Sequence, residues 1–200
     1  MPRNSILEKA KSLERELGLK EDFLINLKDE DDWSFIIKLH AFIEAATSHL
    51  LIKALGHEKL MSIFTRLELG NKQTGKIAFI KALNLLEKTD RRFIGQLSKL
   101  RNEIVHNVSK VSFDLIEYVK DLNSEEFDNF VKSFTTFFIP RDPKLDVDQN
   151  LFVRNLFKEH PKFAIWESAM TTVGLIYGAQ RIAQADLRLG ILEEIKQFTA

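Results

Sequence analysis

Residues 90–108 read DRRFIGQLSKLRNEIVHNV, and their spacing predicts an amphipathic helix. At about 100° per residue, Leu100, Phe93, Ile104, Leu97 and Val108 fall within roughly 80° of arc, the width of a stripe that packs on a core. Arg101 lies just past one edge of that stripe. Beyond it come Ile94, Val105, Ser98, Asn102, Gly95 and His106. Asp90 is the expected N-cap, because a short carboxylate can accept the free amides of a first turn. The small residues Gly95 and Ser98 beside Ile94 and Val105 predict that another backbone approaches this face, a second copy in a two-fold dimer being one source.

The same periodicity recurs on both sides, and no run alternates β-branched residues as a strand would, so the expected class is all-α, an antiparallel helical bundle. A first helix starts at Ser5, with Glu8 completing a capping box, buries Ile6, Ala10, Leu13 and Leu17, and stops at Gly18. A short turn follows at Phe23 and Leu24. The acidic run Asp29 to Asp32 suits a helix N-terminus, and a long helix with the stripe Ile36, Leu39, Ile43, Ala46 and Leu50 runs to Gly56. A third helix is expected over His57 to Leu69, then a polar loop from Gly70 to Thr74 and a fourth helix with Phe79, Leu83 and Leu86 on one side. After the motif helix, Ser112 caps a sixth helix and Ser124, with Glu125 and Glu126, opens a seventh. Pro140 to Asn150 reads as a boundary; a helix from Leu151 to Glu159 and a long one from Pro161, a proline suited to a first helical position, follow. The expected organisation is a bundle over 1–139, a connecting loop over 140–150, and C-terminal helices over 151–200 packed on the same bundle as one domain.

Composition narrows the function. The chain has 200 residues, 44% of them hydrophobic, enough for one sizeable core. Twenty-nine basic residues balance 29 acidic ones, so no global field favours a polyanion and any such binding must be local. With no cysteine, thiolate nucleophiles, disulfides and iron-sulfur ligation are excluded. The start is amphipathic rather than an apolar leader, no uninterrupted apolar run is long enough to span a membrane, and a cytoplasmic location is expected.

Arg101, Asn102 and His106 carry the clearest chemical signal. A guanidinium forks onto phosphate oxygens at any working pH, and an imidazole exchanges a proton near neutrality. Asn102 and His106 are four residues apart, close enough for the amide to orient the ring. The same residues without chemistry would be an arginine paired with acids of the next helix, a solvated amide, and a histidine favoured by a helix C-terminus. R-N-x-x-x-H near the end of a helix resembles the signature of the HEPN superfamily of small α-helical bundles, and all three positions match. The loop and helix from Gly70 to Leu86 and the long helix from Phe163 to Leu189 are similar in layout to that superfamily's mannitol operon repressor branch.

Two functions follow from the resemblance. Catalytic members are metal-independent endoribonucleases in which two motif helices share one cleft of a homodimer. That implies His106 as general acid or base, Arg101 stabilising phosphoryl charge, Asn102 orienting His106 or binding phosphate, no cofactor, RNA as substrate and a toxin or defence role with an antitoxin partner. The repressor branch implies instead a non-catalytic regulator acting through protein partners, with a degraded motif; the intact motif here favours catalysis.

Other signals are weaker. Gly70 to Lys76 matches the first seven positions of a phosphate-binding loop, but Ile77 stands where a hydroxyl is required and no strand precedes it, so an ordinary loop is expected. His40 and Glu44, four apart on one helix, are too few for a metal site and read as a hydrogen-bonded pair or as supports beside the motif. The 16 phenylalanines are expected in the core or in dimer contacts rather than as base-stacking platforms. Gly174 and Gly178 are read as tolerated small residues or as a close-packing face. From Arg91 to Lys120, six basic residues face three acidic ones, a small local excess.

Overall fold

A computed structural model describes residues 3–106, 112–136 and 146–199 and has the expected class: α-helices, and no strand among those residues. The helices are α1 (Arg3–Glu16), α2 (Phe23–Asn26), α3 (Asp32–Leu55), α4 (Met61–Phe64), α5 (Lys76–Ala82), α6 (Lys88–Val105), α7 (Leu115–Asp121), α8 (Ser124–Phe134), α9 (Asp146–Glu159) and α10 (Pro161–Thr199), with short 3-10 turns at Leu27–Asp29 and Glu58–Leu60.

α3 is the central element. Its stripe Ile36, Leu39, Ile43, Ala46 and Leu50 is wholly buried, and Phe35, Phe42, Leu51 and Ile52 bury other sides of the same helix. By length and apolar content α3 could cross a membrane. Here α10, α6, α4 and α5 pack against it and take up that surface. Asp31 caps it by accepting from the Ser34 amide at 2.9 Å, and Gly56 ends it at φ +68°, a conformation that glycine enters without steric penalty. Asp32 then joins three elements: it accepts from the Leu115 amide at the start of α7 (2.7 Å) and pairs with Lys162 of α10 (2.7 Å).

The core is a single cluster that includes Val153 and Phe157 of α9 and Ala164 to Ile176 of α10. Phe93 of α6 meets Phe134 edge-on at 5.6 Å, and Phe130 links Phe134 to Phe157 at 4.8 and 5.9 Å, so these rings serve the interior. Phe137 and Phe138, and Val108 of the expected stripe, lie outside the described residues.

Several boundaries differ from expectation, each for a local reason. α1 opens at Arg3, so Ser5 is within the helix and not its cap. The segment 57–69 holds only the 3-10 turn Glu58–Leu60 and the four-residue α4 where one helix was expected, and past α4 the carbonyls of Glu68 and Leu69 accept from the Lys76 and Ile77 amides (3.0 and 3.3 Å). α5, seven residues long, turns Ile77 and Ile80 inward; Phe79 stays at the surface against Phe64, and Leu83 is 40% exposed beyond the helix end. Asp114, not Ser112, caps α7, Asn123 caps α8 in a reciprocal box with Glu126, and α9 begins at Asp146, inside the segment expected as a loop.

α6 starts one turn's fraction earlier than expected, with Glu87 as N-cap, which places Asp90 in the third helical position and buries it. Desolvation pushes its carboxyl up to about 6, against hydrogen bonds from the amides of Asp90 and Glu87 that favour the anion. The folded chain therefore holds this proton more tightly than the unfolded one, and Asp90's contribution to stability falls as pH rises from about 4 to about 6. Asp90→Asn is expected to be near neutral at pH 4 and stabilising at pH 7, on the order of 1–3 kcal/mol, in urea titrations at both pH values. A pH-independent difference would contradict this account of the burial.

Candidate functional site

The motif occupies the last turn and a half of α6. Ile104 points into the core, Arg101 and Asn102 are half-buried, and Val105 and His106 are exposed. His106 is the C-cap, its amide donating to the Asn102 carbonyl at 3.2 Å. The Asn102 side chain has a different partner from the one expected: its Oδ1 accepts from Arg101 Nη1 at 3.0 Å, so the amide steadies the guanidinium. Glu103, the adjacent acid, accepts instead from the Tyr118 hydroxyl of α7 at 3.3 Å.

The small-residue face of α6 does meet another backbone, and that backbone is the chain's own. A Cβ on Gly70 would lie 2.8 Å from Ser98 Cβ, so only glycine lets the 70–75 loop sit this close to α6. Gly95 faces Ile77 of α5, and Ile94 is fully buried. The loop is closed on itself: Asn71 Oδ1 accepts from the Gln73 and Thr74 amides (2.9 and 3.0 Å), and its carbonyl accepts from Gly75 (3.1 Å). A Cβ on Gly75 would fall 2.2 Å from the Glu68 carbonyl oxygen. These amides serve the turn, and Lys76 points into the protein, which fits an ordinary loop rather than a phosphate cradle.

The pair on α3 lies beside the motif helix. His40 Nε2 is 3.3 Å from Ser98 Oγ, one turn before Asn102, and Glu44 pairs with the fully buried ammonium of Lys76 at 2.7 Å. Burial holds His40 below its usual pKa, helped by the charges of Arg101 and Lys76 and opposed by Glu44, so the ring is neutral at pH 7. His40 and Glu44 thus support the packing of α5 and α6 on α3. Among the described residues no group of three His, Asp or Glu side chains is arranged to hold a metal ion.

What the sequence did not reveal is a cleft of about 960 Å³ along α6 that ends at Asn102. α6 forms its floor, the Gly70 to Gln73 loop one wall, and Asn129, Lys132 and Ser133 of α8 the other. Five cations line it, Lys72, Arg91, Arg92, Lys99 and Lys132, against one carboxylate, Glu68. Arg91 is tied to the Leu86 carbonyl, while Lys72, Lys99 and Lys132 are exposed. Only Arg91, Arg92 and Lys99 are near the motif in sequence; the loop and α8 bring the other two.

No family model, curated protein or solved structure matches this chain.

The Glu44–Lys76 pair has an asymmetric consequence. Removing the carboxylate leaves a buried ammonium without its partner, whereas replacing the lysine with an apolar side chain leaves a carboxylate that water still reaches at 35% exposure. Glu44→Ala should lower unfolding stability by about 2–4 kcal/mol and Lys76→Met by about 1 kcal/mol or less, measured by chemical denaturation. Equal losses would show that the pair does not hold the loop in this way.

Proposed function

We propose that the chain is a metal-independent endoribonuclease of HEPN type, cleaving RNA through its own 2′-hydroxyl. The observation that carries the reading is the cationic cleft running into Asn102 in a chain whose net charge is zero. A groove of lysines and arginines holds a phosphate backbone and not a particular base sequence. In this reading one proton-transfer group takes the 2′-hydroxyl proton as the 2′-oxygen attacks phosphorus, the P–O5′ bond breaks, and the departing 5′-oxygen is protonated. His106, exposed and accessible, takes one of these roles. Arg101, steadied by Asn102, neutralises charge on the phosphoryl oxygens, and Asn102 positions the guanidinium rather than the imidazole. The products are a 2′,3′-cyclic phosphate and a 5′-hydroxyl, made without a cofactor, as suits a toxin or defence nuclease.

One observation favours a second reading, a non-catalytic regulator of the mannitol operon repressor kind. The Arg101 guanidinium already has a partner on its own helix, as it would in a structural role.

Single-stranded RNA incubated with the full chain in EDTA should yield cyclic-phosphate ends while DNA of the same sequence stays intact. His106→Ala and Arg101→Ala should each slow cleavage by roughly 10²–10⁴-fold, and Lys99→Glu with Lys132→Glu should weaken RNA binding. Intact RNA with the wild-type chain rules out the nuclease and leaves the regulator.

A further inference from the structure

The C-terminal half of α10 carries apolar surface that the bundle does not use. One side of it faces the body: Ile176 is fully buried, Gln180 Nε2 reaches the Ala46 carbonyl at 3.5 Å, and Leu187 lies against Gly56. The opposite side presents Leu175, Gly178, Ile182, Ala185, Leu189 and Leu192, separated by three and four residues in alternation. Ile182, Leu189 and Leu192 are 65%, 59% and 54% exposed. At about 100° per residue the stripe is centred opposite the buried face, and its about 27 Å length covers five turns. A 3-4 alternation is the seam of a two-stranded coiled coil, with Leu175, Ile182 and Leu189 at the a positions and Gly178, Ala185 and Leu192 at d.

The flanks specify what covers it. In this register the g positions hold Arg181 and Arg188, and the e positions hold Asp186 and Glu193, all exposed and none in an ion pair among the described residues. In a parallel pair of helices each g residue faces the partner's e residue five positions on. Arg181 would then meet Asp186 of a second copy, and Arg188 would meet Glu193, on both sides of the seam. An antiparallel pair would set arginine against arginine and acid against acid.

We infer that this face of α10 binds a second copy of the chain as a parallel, in-register coiled coil, selected by the Arg181/Asp186 and Arg188/Glu193 pairs. The α10 contact is a different one from the shared motif-helix cleft of a HEPN nuclease and rests on nothing in that reading. The two bodies lie on opposite sides of the seam, because each covers the far face of its own α10.

The test is solution mass by light scattering at tens of micromolar. The wild-type chain should weigh at least twice its 23.2 kDa. Arg181→Glu with Arg188→Glu makes both flanks acidic and should weaken association at least tenfold, with the helical circular dichroism unchanged. Adding Asp186→Arg and Glu193→Arg to that variant restores opposite charges and should restore the dimer. Leu192→Cys, the only thiol in the chain, should cross-link to its counterpart under mild oxidation in a parallel pair; antiparallel, the two would lie at opposite ends. A monomeric wild type, a double arginine variant that stays dimeric, or a Leu192→Cys chain that does not cross-link overturns the proposal.

Discussion

The structure depends on the burial of α3. Apolar residues cover most of its circumference, so in water it is stable only when surrounded, and α10, α6, α4 and α5 supply that surround. The polar pair His40 and Glu44 on this helix faces α6 and α5. A buried ammonium needs its counter-ion, and a neutral imidazole needs a hydroxyl, so Glu44–Lys76 and His40–Ser98 fix where the 70–75 loop and the motif helix dock. The loop then becomes one wall of the cleft beside Asn102. The polar edge of the core helix and the cationic groove are two sides of one arrangement.

Charge is distributed to the same effect. The chain is neutral as a whole, and within 91–120 the basic excess is three residues, too small to mark a polyanion surface. Folding concentrates it. Lys72 arrives from the loop and Lys132 from α8, while acids nearby are engaged elsewhere: Glu103 with Tyr118, and Asp90 under the helix start. Concentrating cations in a groove raises the local potential far more than net charge suggests.

Much of the fold was legible where a local rule acted alone. The α3 stripe, the glycine stops at Gly18 and Gly56, Pro161 at a helix start and the inward residues Phe93, Leu97, Leu100 and Ile104 all follow from periodicity and capping. Expectations failed where tertiary contacts overrode it. Asp90 looked like a cap and was drawn inside by a helix that began earlier; residues 57–69 had helical spacing, but form only a 3-10 turn and the short α4 before their end docks on the start of α5. Gly95 and Ser98 correctly marked a close approach, and nothing in their own segment distinguished the Gly70 loop from another chain. The positions of Arg101, Asn102 and His106 at the end of the helix were legible, but Asn102's partner was not, since an i,i+1 guanidinium competed with the i,i+4 imidazole. The α10 heptads were present in the sequence throughout. Only the packed structure shows which face of that helix is left over.

We propose that the groove on α6 receives a ribose-phosphate chain; of the three motif residues only Asn102 lines it, with Arg101 and His106 next to it on the same helix. The most direct measurement is a titration of isotope-labelled protein with a 2′-O-methyl RNA oligonucleotide, which binds but lacks the attacking hydroxyl, followed by amide resonances. Shifts concentrated at Lys72, Arg92, Lys99, Asn102 and Lys132, diminishing with salt, are the predicted result. Shifts confined to another face, or none at low salt, would contradict it.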